Sequence, residues 1–222
     1  MSFSIEWDQR YRDNAHMSIW PWSDVVSYVH RYAKPAAGFQ RVLELGCGAG
    51  ANIPFFLKLE VDYCAIEGSP AIVAHLHQAY PAVRDKIQVG DFTQTIPFEG
   101  LFDLIVDRSS LIHNATADIR NGLTLAFQRL RSGGKFIGID WFSNVHSSAQ
   151  LGSAFDSHTR TGISSGPLAN TGKVHFCDQS HLLGLLSEAG FQVERLEHKQ
   201  NDILIPPGGD CFAYWNFVAS KP

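Results

Sequence analysis

The sequence predicts a doubly wound α/β fold, a mainly parallel sheet with helices packed on both faces. Short β-rich apolar runs alternate with helical stretches along most of the chain, the pattern that joins parallel strands through crossover helices. The apolar run Arg41 to Leu45 ends in a glycine-spaced turn, Gly46-Cys47-Gly48-Ala49-Gly50-Ala51-Asn52, directly ahead of a helix. The 222 residues are 45% hydrophobic, enough for one well-buried core, so residues 1–222 are read as a single domain.

Each element follows from local signals. In the opening segment, residues 1–35, Trp7, Tyr11, Trp20 and Trp22 are expected to cover the core. A first helix runs from Ser23, read as its N-cap with Asp24 favourable in the first turn, to about Lys34, where Pro35 ends it. Strand one is Arg41 to Leu45, and the next helix carries Ile53, Phe56 and Leu57 on one side. Strand two, Asp62 to Ile66, closes on Glu67-Gly68-Ser69; Ser69 caps and Pro70 opens a helix to Tyr80, which Pro81 stops. Strand three is Ile87 to Val89, and strand four is Phe102 to Val106. A helix from about Asp118 to Arg131 ends in the turn Ser132-Gly133-Gly134 before strand five, Lys135 to Asp140. Residues 143–177 are rich in Ser, Gly and His with little periodicity and are read as a long substrate-facing loop. Asp178 caps a helix to about Ala189, and strands Phe191 to Leu196 and Phe212 to Ala219 flank the turn Pro206-Pro207-Gly208-Gly209.

Composition excludes several function classes. A formal charge of −4 with scattered Lys and Arg gives no basic footprint for nucleic acid. The opening Met1-Ser2-Phe3-Ser4-Ile5-Glu6 lacks a signal-peptide profile, and no run approaches the length of a membrane span, so a cytoplasmic location is expected. Cysteines 47, 64, 177 and 211 have no CxxC spacing and are read as free thiols. Oligomeric state leaves no signature.

The glycine turn lets backbone approach a ligand where a Cβ would collide. Glu44 beside it repels a pyrophosphate but suits a ligand carrying an ammonium group, such as S-adenosylmethionine. Glu67 stands 23 residues further on at the neighbouring strand end, where a carboxylate accepts both hydroxyls of a ribose.

The ordered set Glu44-Leu45-Gly46-Cys47-Gly48-Ala49-Gly50, Glu67, Gly90-Asp91-Phe92, Leu104-Ile105-Val106-Asp107 and Gly133-Gly134 resembles class I S-adenosylmethionine-dependent methyltransferases of the small-molecule type, over roughly residues 40 to 220. The resemblance implies a Rossmann-like three-layer sandwich with a seven-stranded sheet, order 3-2-1-4-5-7-6, the last strand antiparallel. It also implies that Asp91 receives the adenine amino group, that the Phe92 N–H addresses a ring nitrogen, and that Glu44, Gly46, Cys47, Gly48, Asn52 and the backbone around Asp107 and Arg108 border the methionine half. Gly68 and Ser69 join Glu67 at the ribose, and Tyr11 reaches the cofactor from an N-terminal lid. His113, just past strand four, is the first candidate for a general base, with His146 and His175 framing the 143–177 segment as further candidates. Asp140 is considered as a metal ligand, but no companion acid is spaced to join it, so no metal is expected. The acceptor implied is an oxygen or nitrogen of a small molecule, a sugar or secondary-metabolite intermediate being one such class. Two other readings stay open: a nicotinamide-dependent oxidoreductase, because Gly46 to Ala51 formally satisfies GxGxxA, and a cofactor-binding subunit without turnover. Nucleic-acid amino methylation is disfavoured, since Asp107-Arg108-Ser109-Ser110 stands where that chemistry uses Asn/Asp-Pro-Pro-aromatic.

Overall fold

Alternation along the strands sets the layering. The computed structural model describes residues 5–34, 40–206 and 209–222. Helices α1 (Ile5–Arg12) and α2 (Ser23–Tyr28) precede β1 (Arg41–Leu45), α3 (Ile53–Lys58), β2 (Asp62–Glu67), α4 (Pro70–Ala79), β3 (Ile87–Val89) and β4 (Phe102–Arg108). The second half holds α5 (Thr116–Arg129), β5 (Leu130–Phe142), the short strands β6 (Ser153–Ala154), β7 (Thr159–Thr161) and β8 (Val174–His175), then α6 (Gln179–Glu188), β9 (Gln192–Asp202) and β10 (Cys211–Ser220). Seven strands form one sheet in the order β3-β2-β1-β4-β5-β10-β9. β10 runs antiparallel to both neighbours and the other pairs named are parallel. This is the expected 3-2-1-4-5-7-6 arrangement.

Residues one apart along a strand enter opposite cores. Val42, Tyr63, Ala65, Leu104, Val106, Ile137 and Ile139 pack with Val25, Ile53, Phe56, Val73 and Leu76 on one face. Leu43, Cys64, Ile66, Ile105 and Phe136 pack with Leu123, Ala126, Leu182 and Leu185 on the other. Leu43 is fully buried, and truncating it to Ala should cost about 2–5 kcal/mol. Gly138 is required in β5 because a Cβ there would stand 2.2 Å from the Phe217 ring of β10.

Several expectations need correction. Ser23 is the first residue of α2, not its cap; Trp22 holds that position without a side-chain cap bond, and the helix continues as one π turn over Val29–Ala33. Asp24 instead accepts from Lys199 (2.6 Å) and Asn216 (2.9 Å), contacts remote in sequence. Pro35, Pro207 and Gly208 lie outside the described residues. Helix α5 stops at Arg129, and Ser132-Gly133-Gly134 belongs to β5: Leu130 already pairs with Phe102, and a register shift before Leu104 takes up the glycines. Residues 143–177 are not a structureless loop. They carry a 3₁₀ turn, Ser147–Gln150, and the antiparallel sheet β6-β7-β8, packed on a small core of Ala149, Ile163, Leu168, Val174 and Phe176. The two ends of the segment are bridged at Ser143 and Cys177 beside β5. Trp20 is 77% exposed rather than core-covering.

Candidate active site

Strands β1 to β5 end at a cavity of about 380 Å³, within the range of small-ligand sites. Tyr11, Glu44, Gly46, Cys47, Gly48, Asn52, Glu67, Asp91, Phe92, Arg108, His113 and His146 line it. Gly68, Ser69, Asp107 and His175 do not.

Glu67 closes β2 at 4% exposure. One carboxylate oxygen accepts the Gly48 N–H (2.9 Å) and the other the Ser69 N–H (3.0 Å), so the glycine turn and the start of α4 share one anion. Burial pushes its pKa up against bonds from the Ser69, Gly48 and Gly68 N–H groups. Gly68 and Ser69 therefore act through Glu67. The Ser69 hydroxyl caps α4 by accepting the Ile72 N–H and donates to Asp8 of α1. Tyr11 lies over the turn: a Cβ on Gly48, whose φ is +52°, would stand 2.9 Å from its hydroxyl. Burial and then the Glu67 charge keep that phenol well above its ordinary pKa.

Glu44 is also buried, accepting from Asn52 Nδ2 (2.7 Å) and the Tyr63 hydroxyl (2.5 Å), and burial raises its pKa. Asn52 Oδ1 accepts the Trp22 N–H (3.1 Å), which ties the opening segment to the turn. Asp91 accepts the Thr93 N–H (3.0 Å) and hydroxyl (2.7 Å), fixing the β3 loop with Phe92 beside it.

Asp107, expected to border the methionine half through its backbone, keeps its side chain out of the cavity. Its fully buried side chain lies outside the cavity wall and accepts from Trp141 Nε1 (2.7 Å), Leu111 N (3.0 Å) and Ser110 N (3.2 Å); burial pushes its pKa up to about 7. Arg108 pairs with Asp140 (2.8 Å) and stacks on Trp22 at 3.7 Å. Asp140 thus serves an ion pair. It and Ser109 hold left-handed φ angles of +57° and +55°, conformations kept by Ser109 N–H to Ile139 O (3.0 Å), Ser109 Oγ to Asp140 O (2.8 Å) and Asp140 N–H to Asn216 Oδ1 (2.8 Å).

His113 is 9% exposed and packs edge-on against Trp7, with ring centroids 4.9 Å apart. Its Nδ1 lies 3.1 Å from the Lys173 carbonyl, which only accepts, so Nδ1 carries the hydrogen and Nε2 keeps a lone pair. Burial lowers its pKa to about 4. His146 sits among Phe142, Phe176 and Phe212 and accepts the Ser148 N–H at Nδ1 (3.0 Å), leaving Nε2 buried with no partner among the described residues. His175 stands outside the cavity, bonded to Thr159 and His181. Sequence reasoning missed Arg10, His16 and Phe212 in the wall, and Asp140, weighed only as a metal ligand, also lines it. Arg10 Nη1 donates to the Ala169 carbonyl (2.9 Å), joining α1 to the 143–177 segment over the cavity, while its Nε is buried without a partner among the described residues.

A family model described as a methyltransferase domain matches residues 12–196. The chain belongs to this family. It is a class I methyltransferase, and the methyl donor of that class is S-adenosylmethionine; the nicotinamide reading is set aside. Similar solved structures show the same fold. An S-adenosylmethionine-dependent methyltransferase from Clostridium acetobutylicum is 13% identical, covering 97% of this chain and 96% of that one at a TM-score of 0.64. The glycopeptide N-methyltransferase MtfA, complexed with sinefungin, is 20% identical, covering 91% and 87% at 0.62. The CcbJ methyltransferase from Streptomyces caelestis is 15% identical, covering 91% of each chain at 0.66. No curated protein matches the chain in sequence. Among the described residues no helix is long and apolar enough to cross a membrane.

Proposed function

We propose that this chain is a cytoplasmic, single-domain enzyme that methylates an oxygen or nitrogen of a small molecule, such as a sugar or secondary-metabolite intermediate. The observation that carries the reading is the Glu67 carboxylate, buried in the cavity wall with backbone N–H groups bonded to both of its oxygens. A ribose diol matches that arrangement. Arg10 Nε, buried and without a partner among the described residues, adds a donor in the same cavity wall that a ligand carboxylate would satisfy. S-adenosylmethionine supplies an electrophilic sulfonium methyl group when bound. Glu67 would hold the ribose, Asp91 would accept from the adenine amino group, and Phe92 would flank the adenine with its N–H as a donor to the ring. Glu44, steadied by Asn52 and Tyr63, would accept from the ammonium, and Arg10 would donate to the carboxylate. Positioning of the acceptor supplies much of the acceleration.

An acceptor that must lose a proton needs a base, and His113 offers a neutral Nε2 fixed by the Lys173 carbonyl. His146, with Phe142 and Phe212, bounds the acceptor end of the cavity. Crystals grown with S-adenosylhomocysteine test the reading. Ribose hydroxyls within hydrogen-bond distance of both Glu67 oxygens are expected; an adenosyl group seated elsewhere overturns it.

A further inference from the structure

Outside the cavity, a second group of chemistry-bearing side chains converges at the base of the 143–177 segment. His175 ends β8, Cys177 follows it on the same side of the extended chain, and His181 opens the first turn of α6, a spacing of H-x-C-x3-H. Their donor atoms, one from each residue, lie within 4.8 Å of one another. His175 Nε2 and His181 Nε2 face each other at 3.0 Å. Two imidazole nitrogens bound to one tetrahedral zinc stand about 3.3 Å apart, given Zn–N bonds of about 2.05 Å, so the two rings need part by only a few tenths of an ångström, while the Cys177 sulfur must close to about 3.6 Å from each.

We propose that His175, Cys177 and His181 bind one divalent transition-metal ion of the zinc type, with water as the fourth ligand, as a clasp between β8 and α6. The donor set is two imidazoles and a thiolate, which selects a borderline-soft cation over magnesium or calcium. The outer partner that orients a metal-bound imidazole is present: Thr159 Oγ1 lies 2.9 Å from His175 Nδ1, placed to accept its N–H and leave Nε2 for the ion. The rings of His158 and His181 stack in parallel at 3.5 Å, so His158 covers one face of the ligand. On binding, the Cys177 thiol gives its proton to solvent and its sulfur lone pair to the ion. The ligands join β8 to α6 where Cys177 N–H donates to the Phe142 carbonyl (2.8 Å), so the ion fixes the return of the segment to β5.

Metal analysis and cobalt substitution of the whole chain test this under reducing conditions. Close to one equivalent of zinc per chain is expected, and after chelation and reloading with cobalt(II), tetrahedral d–d bands with a thiolate-to-metal charge-transfer band. Cys177→Ser should abolish the charge-transfer band, and Thr159→Val should weaken cobalt binding by about ten- to a hundred-fold, with near-ultraviolet circular dichroism checking the fold of each. Because Cys177→Ser alters a buried site, X-ray absorption at the zinc edge of the unaltered protein reads the same ligands without a variant. Substoichiometric zinc with no tetrahedral cobalt spectrum, or an absorption spectrum without sulfur in the first shell, overturns the proposal. Neither readout depends on S-adenosylmethionine binding.

Discussion

Glu67→Gln should weaken S-adenosylhomocysteine binding by about ten- to a hundred-fold while leaving the ligand-free protein no less stable. Burial raises the Glu67 pKa above its ordinary 4.5. The unfolded chain therefore carries that charge more easily, and ionised Glu67 withdraws stability as pH rises through 4.5 and up to its folded value. A neutral amide removes this withdrawal. Against that gain, Gln keeps an acceptor for one of the Gly48 and Ser69 N–H groups and turns a donor toward the other, a loss of about 1 kcal/mol. The two effects oppose each other at neutral pH. No such offset operates on the ligand, because a hydroxyl bond to a charged acceptor contributes about 1.5–3 kcal/mol and each 1.4 kcal/mol is tenfold in affinity. Thermal denaturation without ligand and calorimetric titration with S-adenosylhomocysteine measure the two halves. A variant that melts several degrees lower yet binds with unchanged affinity would refute the reasoning and make Glu67 a structural strut.

Gly48→Ala sets a Cβ 2.9 Å from the Tyr11 hydroxyl at φ +52° and should cost at least about tenfold in cofactor affinity, read by calorimetry on a variant with unchanged circular dichroism. Trp141→Phe removes the 2.7 Å bond to buried Asp107 and should destabilise by about 1–3 kcal/mol in chemical denaturation. With the acceptor in hand, His113→Ala should lower kcat by about 10²–10⁴ while cofactor affinity stays within a few-fold, as single-turnover and binding assays would read. Since burial holds the His113 pKa to about 4, its base form prevails above that pH. The His113-dependent limb of the rate profile should fall as pH drops through about 4, not through the ordinary 6.5.

The parts of this molecule that were legible in the sequence are local ones. A strand, a glycine turn and a helix in succession are fixed by residues within ten positions of each other, so β1, the Gly46–Asn52 turn and the carboxylates at the ends of β1 and β2 could be located in advance. The parts that were not legible join distant segments. Arg108 meets Trp22 and Asp140, and Arg10 meets Ala169, through packing that no spacing announces. Asp107 follows the strand pattern of a site residue, yet its side chain turns to Trp141, 34 residues away. Strands as short as β6 to β8 carry too few residues for alternation to stand out, which is why 143–177 reads as loop. The H-x-C-x3-H spacing was present throughout but becomes a cluster only when α6 folds back on β8.

Calorimetric titration of the purified chain with S-adenosylmethionine, S-adenosylhomocysteine and NAD tests the central claim most directly. One-to-one saturable binding of the first two and none of NAD is the predicted result. Saturable NAD binding with no response to either of the others would contradict the assignment of this cavity.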